Sequence, residues 1–133
     1  MTQLVTSDGA FVSNISTLVS GGKAGVSLDL FRIENFKPVQ LASSEVGKFH
    51  IGDSYILLAT VADKAGKIHW NIHFWLGDES SQDERGAAAY KVVELDNALG
   101  GSAVQYRELQ GLESAEFLSY FKSGAAPLLL YIS

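Results

Sequence analysis

The stretch that most constrains the fold is Gly52-Asp53-Ser54-Tyr55-Ile56-Leu57-Leu58-Ala59-Thr60-Val61. After Gly52 and Asp53 it is an almost unbroken apolar run of strand length. A half-buried strand alternates apolar with polar residues, so a run of this kind fits a strand covered on both faces. A fold built on it needs one layer above and one below. The run 62–67 (ADKAGK) reads as a turn. Ile68–Leu76 (IHWNIHFWL) follows, with Ile68, Trp70, Ile72 and Phe74 on one face, and the two strands form a long hairpin. Upstream, residues 28–34 (LDLFRIE) alternate, with Leu28 and Leu30 on one side and Phe31 and Ile33 on the other. Phe36-Lys37-Pro38-Val39 turns out of that strand towards a short edge strand.

Two helices are available as covering layers. Ser81-Gln82-Asp83-Glu84 fits a capping box, with Ser81 as N-cap and Glu84 reaching back. Gly100-Gly101 supplies the stop. Between them Ala88, Val92, Leu95 and Leu99 recur at helical spacing, which is one packed stripe. Residues 103–109 (AVQYREL) read as another strand. Residues 114–121 (SAEFLSYF) read as a short helix with Ala115, Leu118 and Phe121 turned inward, and residues 127–132 (PLLLYI) as a last strand. If that last strand is unpaired, it is a sticky edge. A strand-rich centre with two unequal helices predicts an α+β layered domain. It spans residues 23–133, after an arm over residues 1–22 that reads as a loose segment or a short helix.

The chain has 133 residues and 47% hydrophobic content, enough for one domain with a real core. A net charge of −5 argues against nucleic acid and against an anionic membrane surface. There are no cysteines, which fits a reducing compartment such as the cytoplasm and excludes a disulfide framework or a thiolate zinc site. The start lacks a basic, apolar leader pattern, and no stretch reaches the ~18 apolar residues of a membrane span. Gly21-Gly22-Lys23 is similar to part of a phosphate loop but lacks the upstream glycine and the following Ser or Thr.

Tyr90 lies ~200° round the helix from Ala88, on a face shared with Asp83, Ala87, Glu94 and Asn97. It is either a tyrosine along the helix rim or an anchor for an apolar cleft of a partner. Asp53 and Glu84 could meet at one rim of the sheet. With backbone carbonyls they would make an oxygen cage of calcium type, against the plainer readings of a turn residue and a capping box. His69 and His73, four apart on a strand, are ~13 Å apart and too far to share an ion. No nucleophile elbow or general-base cluster is present, so nothing supports an enzyme.

The stretches GKFHIGDSYILLATV, IHFWLGDESSQDERGAAA, VVELDNALGG and AVQYRELQGLESAEFLSYFKSG resemble the first domain of the gelsolin/villin/severin/fragmin family. The resemblance runs uninterrupted from about Lys23 to Gly124, and WLG-x-x-x-SQDE-x-GAAA is highly specific. It implies a gelsolin-like domain, a central mixed β-sheet sandwiched between one long and one short α-helix. It implies a calcium-assisted, non-catalytic actin-binding module of the cytoplasmic actin cytoskeleton. The long helix would enter the cleft between two subdomains of monomeric actin, with weak barbed-end capping as a further activity. Tyr90 matches the apolar anchor position, Glu94 and Asn97 the polar contact positions, and Phe36 a further contact.

The same resemblance implies Ca2+ held within the domain by the Gly52 carbonyl, Asp53 and Glu84. It implies a second Ca2+ shared between Asp96 and an acid on actin, whose loss weakens binding without unfolding. By counting, the Ile132 carbonyl completes the first site, although the family's glycines around that position are replaced here by 125–133 (AAPLLLYIS). The family's basic lipid-binding segment falls in the same region and retains only Lys122, which argues against phosphoinositide binding. The rival readings are a gelsolin-fold interaction module that no longer binds actin, and a metal-dependent enzyme using Asp53 and Glu84. Tyr90, Asp96 and Asn97 argue against the first, and the missing nucleophile against the second.

Overall fold

The computed structural model describes residues 2–4, 13–15, 25–121 and 128–133, with backbone only for the first two segments. Most of the expected arm over residues 1–22, the basic position Lys122 and the start of the apolar tail lie outside the described residues. β1 (Thr2–Leu4) and β2 (Ser13–Ile15) pair antiparallel with each other. The central sheet is formed by β3 (Val26–Glu34), β4 (Lys37–Gln40), β6 (Ser54–Ala62), β7 (Ile68–Leu76) and β8 (Val104–Leu109). Its spatial order is β4-β3-β6-β7-β8, antiparallel except for the β7–β8 pair. The sheet is therefore mixed, as expected. A short 3-10 turn (Ser43–Glu45) leads into β5 (Lys48–His50), which pairs in parallel with β9 (Leu130–Ile132) in a separate two-stranded sheet. β5 was not visible in the sequence. The apolar tail forms a shorter strand than expected and joins β5 rather than the central sheet.

β6 is buried at every position from Ser54 to Thr60. Its even-numbered residues Ile56 and Leu58 meet Phe31, Ile33, Ile72 and Leu76 under α1 (Gln82–Ala98). Ala88, Val92 and Leu95 close that layer, with Leu99 beside them. The odd-numbered residues Tyr55, Leu57 and Ala59 face the opposite layer with Leu30, Phe49 and Trp75, under α2 (Ala115–Ser119). The helix α1 begins with the expected capping box at Ser81 and Glu84. It ends with Gly101 N–H donating to Asp96 O and Gly100 N–H to Asn97 O, a Schellman motif with both glycines at positive φ.

The short helix differs from expectation. Its inward residues are Phe117, Tyr120 and Phe121, whereas Ala115 and Leu118 are exposed. One helical turn is too short for spacing to fix its phase. Contacts decide it instead: Phe117 and Phe121 pack on Phe49, at ring-centroid distances of 5.6 and 6.1 Å.

A buried polar chain also holds α2. His73 Nδ1 lies 2.7 Å from Glu108 Oε2, and His73 Nε2 lies 2.9 Å from the Tyr120 hydroxyl. Asn71 donates to the same hydroxyl at 3.2 Å. The Ser114 N–H and hydroxyl both donate to Glu108 at 2.7 Å. Every member is satisfied if Nδ1 carries the imidazole proton and Tyr120 donates to Nε2. Burial pushes the Glu108 carboxyl up, but hydrogen bonds from His73 and Ser114 outweigh it and hold it below the ordinary value of 4.5. A depressed folded-state value means that the ionised group stabilises the fold above pH 4.5 and loses that contribution as pH falls through the folded value. Glu108→Gln should therefore lower the melting temperature at neutral pH, and the gap to wild type should narrow below pH 4.5. Thermal melts from pH 7 downward check this; a gap that stays constant would show that the charge of Glu108 carries no stability.

Candidate functional site

The helix α1 is apolar on two sides. The inner stripe Ala88, Lys91, Val92 and Leu95 is buried. On the outer side Tyr90 is 65% exposed and Val93 49% exposed, with Asn97 exposed one turn on. Residues three and four apart share a helix face, so these three side chains form one strip. Ala87 and Glu94, expected on this face, are placed otherwise. Ala87 packs against the core, and the Glu94 side chain is only 11% exposed, on the flank beside Lys91.

Phe36 belongs to the two-residue turn between β3 and β4, where Glu34 pairs with Lys37. Asn35 and Phe36 have φ of 51° and 63°, as a primed hairpin turn demands. Asn tolerates that region, but a Phe there costs about 1–3 kcal/mol. Phe36 nevertheless remains 55% exposed. The registers Arg32↔Tyr55 and Tyr55↔Trp75 put this turn at the same end of the sheet as Gly52-Asp53 and the start of α1. The helix itself crosses β7, β6 and β3 and reaches β4.

The expected calcium ligands Gly52, Asp53, Glu84 and Ile132 lie towards that end of the sheet. Ile51 N–H donates to the Ile132 carbonyl at 2.8 Å, which brings Ile132 next to Gly52. Gly77 N–H donates to the Asp53 carbonyl at 3.1 Å, and Glu79 N–H to the Ile51 carbonyl at 2.9 Å. A Cβ on Gly77 would overlap the Ile51 carbonyl and lie 2.8 Å from the Asp53 carbonyl oxygen, so only glycine lets this turn close. Arg85 Nη2 ties the head of α1 to the same place, donating to the Gly77 carbonyl at 2.8 Å.

Glu84 uses Oε1 for its capping-box contacts to Ser81 N–H and hydroxyl, both at 3.4 Å, which leaves Oε2 outside the box. The half-buried Asp53 carboxylate accepts no hydrogen bond from a described residue. Two carboxylates and two carbonyls are an all-oxygen set that suits a hard cation. Among the described residues, no three His, Cys, Asp or Glu side chains gather as a metal cluster. The fit therefore depends on the backbone carbonyls of Gly52 and Ile132.

Asp96 lies at the other end of α1, about 18 Å along the axis from Glu84 by helical rise. Its Oδ1 accepts from Ala103 N–H at 3.0 Å and its Oδ2 from the Gln105 amide at 2.8 Å. Asp96 thus ties the helix end to β8. Substitution there touches the fold as well as any partner, so the expectation of a purely binding defect needs revision.

The chain end is pinned by Tyr131, whose hydroxyl donates to Glu113 at 2.6 Å and whose ring stacks on Trp75. Burial, then the Glu113 carboxylate, pushes that hydroxyl up to about 12, so it stays a donor.

Several site residues escaped sequence reasoning. Val93 carried a usable signal, its i+3 spacing from Tyr90. Gly77 carried none, because its role comes from tertiary contacts, and Lys91 carried only its i+3 spacing to Glu94, which does not announce its burial.

Comparison with known proteins places this geometry. The gelsolin repeat family matches residues 34–118. Villin-5 of Arabidopsis thaliana is 56% identical over 108 residues, which cover 81% of this chain and 11% of that protein. Gelsolin of Gallus gallus is 54% identical over 97 residues, 73% of this chain and 12% of that protein. The chain therefore spans only about a ninth of the length of these relatives. Among solved structures it is similar to a chain of the Thorarchaeota 2DGel3/rabbit actin complex, with 25% identity and a TM-score of 0.60, over 79% of this chain and 45% of that one. The chain belongs to the gelsolin/villin family, as a gelsolin-like domain.

Proposed function

We propose that this chain is a non-catalytic actin-binding module that docks the outer face of α1 into an apolar cleft of monomeric actin. The carrying observation is a pair of exposed aromatic residues beside one helix: Tyr90 on its outer strip and Phe36 on a strained turn. Backbone strain that serves no packing purpose is a mark of a binding position. Tyr90 supplies the anchor, Val93 and Phe36 extend the apolar contact, and Asn97 and Glu94 supply polar contacts at its edge. Its relatives are named villin and gelsolin, and the similar solved structure was determined as a complex with rabbit actin, which supports actin as the partner. Weak barbed-end capping belongs to the same reading, since the same face would meet a terminal actin subunit.

Calcium assists in this reading. The Gly52 and Ile132 carbonyls with Asp53 and Glu84 hold one ion, which joins three chain segments at one end of the sheet through hard oxygen ligands. Asp96 offers a second ion its remaining lone pairs at the interface.

Sedimentation velocity with labelled monomeric actin should show a 1:1 complex in calcium that weakens in chelator. Tyr90→Ala should weaken it by at least about tenfold, as for a hot-spot aromatic. Phe36→Gly should also weaken it while leaving the melting temperature equal or higher, because glycine relieves the positive φ. A folded chain that forms no complex in either buffer would leave a gelsolin-fold scaffold without actin.

The ion site has its own test. Glutamine preserves a capping box but not a charge. Glu84→Gln should therefore melt like wild type in chelator yet lose the calcium-induced rise, which at a hundredfold excess over Kd is worth about 2.7 kcal/mol. Equal calcium shifts in both chains would remove Glu84 from the site.

A further inference from the structure

We propose that Lys91 is a positioning residue for the docking face. It holds the Tyr90 ring and the Glu94 carboxylate in the arrangement the partner meets. This rests on the reading that α1 docks on actin.

Lys91 occupies the buried stripe with Ala88, Val92 and Leu95, and is only 8% exposed. A lysine in such a stripe is unfavourable unless its charge is matched. Its Nζ lies 3.3 Å from Glu94 Oε1, one turn on, with the two side chains 10% and 11% exposed. The same Nζ lies 5.4 Å from the centroid of the Tyr90 ring, within cation–π range. One ammonium therefore touches both an exposed aromatic and a nearly buried carboxylate. Tyr90 and Glu94 are four apart on the helix, and the Lys91 ammonium reaches both.

Glu94 is only half used by this contact. Its Oε2 is buried and has no hydrogen-bond partner among the described residues. A buried acceptor without a donor is a standing penalty, so among the described residues the Lys91 contact is what offsets the burial of this carboxylate. The complementary surface is an apolar socket for the Tyr90 ring. Holding the ring and carboxylate in place beforehand reduces the ordering needed on binding.

The test is a double-mutant cycle of Lys91→Met and Glu94→Gln, read as affinity for monomeric actin and as the melting temperature of the free chain. Each single change should weaken binding about tenfold, and the double change should be no worse than the weaker single, a coupling of about tenfold. Lys91→Arg keeps the charge and should stay within about threefold of wild type, because Glu94 retains a cationic partner. Losses that add within about a factor of two overturn the proposal, as does wild-type affinity in a folded Lys91→Met chain. If Lys91→Met does not fold, Tyr90→Leu with Glu94→Gln forms the cycle under the same criterion. A wild-type chain that binds no actin, or Tyr90→Ala that binds as well as wild type, sinks the docking reading itself. A loss at Tyr90 with additive effects at Lys91 sinks only the positioning role.

Discussion

The two-sided burial of β6 is the constraint from which the rest of the structure follows. Tyr55 through Ala59 are all fully buried, alternate residues facing opposite layers. Ile56, Leu57 and Leu58 each contribute about 1.5–3 kcal/mol when removed from water, but only if both faces are covered. The chain meets that demand with two unlike covers. One is a seventeen-residue helix with its own start and stop signals. The other is a five-residue helix held by an aromatic cluster around Phe49 and by the His73–Glu108–Tyr120 chain. The short cover is fixed by what it touches, so the long one can expose a second face.

The division of labour explains where function sits. The capping box, the Schellman motif, the Asp96 contacts to β8 and the Arg85 contact to Gly77 secure both ends of α1. With the inner stripe packed and the ends tied, the outer strip can carry Tyr90 and Val93 in water without loosening the helix. The Gly52-Asp53 turn closes on Gly77 at the same end of the sheet that carries Phe36. The oxygens proposed to hold a cation and the exposed aromatic turn are thus supported by one piece of framework.

How far this was legible in the sequence depends on the range of the interaction concerned. The capping box and Gly100-Gly101 are local, and their helix ends match the structure. The apolar run of β6 and the even-numbered face of β7 declare their burial by pattern alone. The three-residue strand β5 was hidden because it is too short to show a period, and the partner of the last strand was hidden because their pairing joins residues some eighty positions apart. The phase of α2 was misread for the same reason, since Phe117 is turned inward by Phe49 and not by its own spacing. At the site, Tyr90 stood out as an aromatic on a wet face. The burial of Glu94 and Lys91 did not, because nothing in a one-dimensional pattern distinguishes a solvated lysine from one folded against its own helix.

Hydroxyl-radical footprinting of the chain, alone and with monomeric actin in calcium, tests the central claim most directly. It reports side-chain access residue by residue, so it asks which face is covered and not merely whether binding occurs. The account predicts that Tyr90 and Phe36 lose reactivity in the complex while Tyr131, stacked on Trp75 of the other layer, and Leu112, next to the Gly111 that donates to Tyr131, keep theirs. Protection of Tyr131 and Leu112 with Tyr90 still reactive would contradict it, and would move the partner to the opposite side of the sheet.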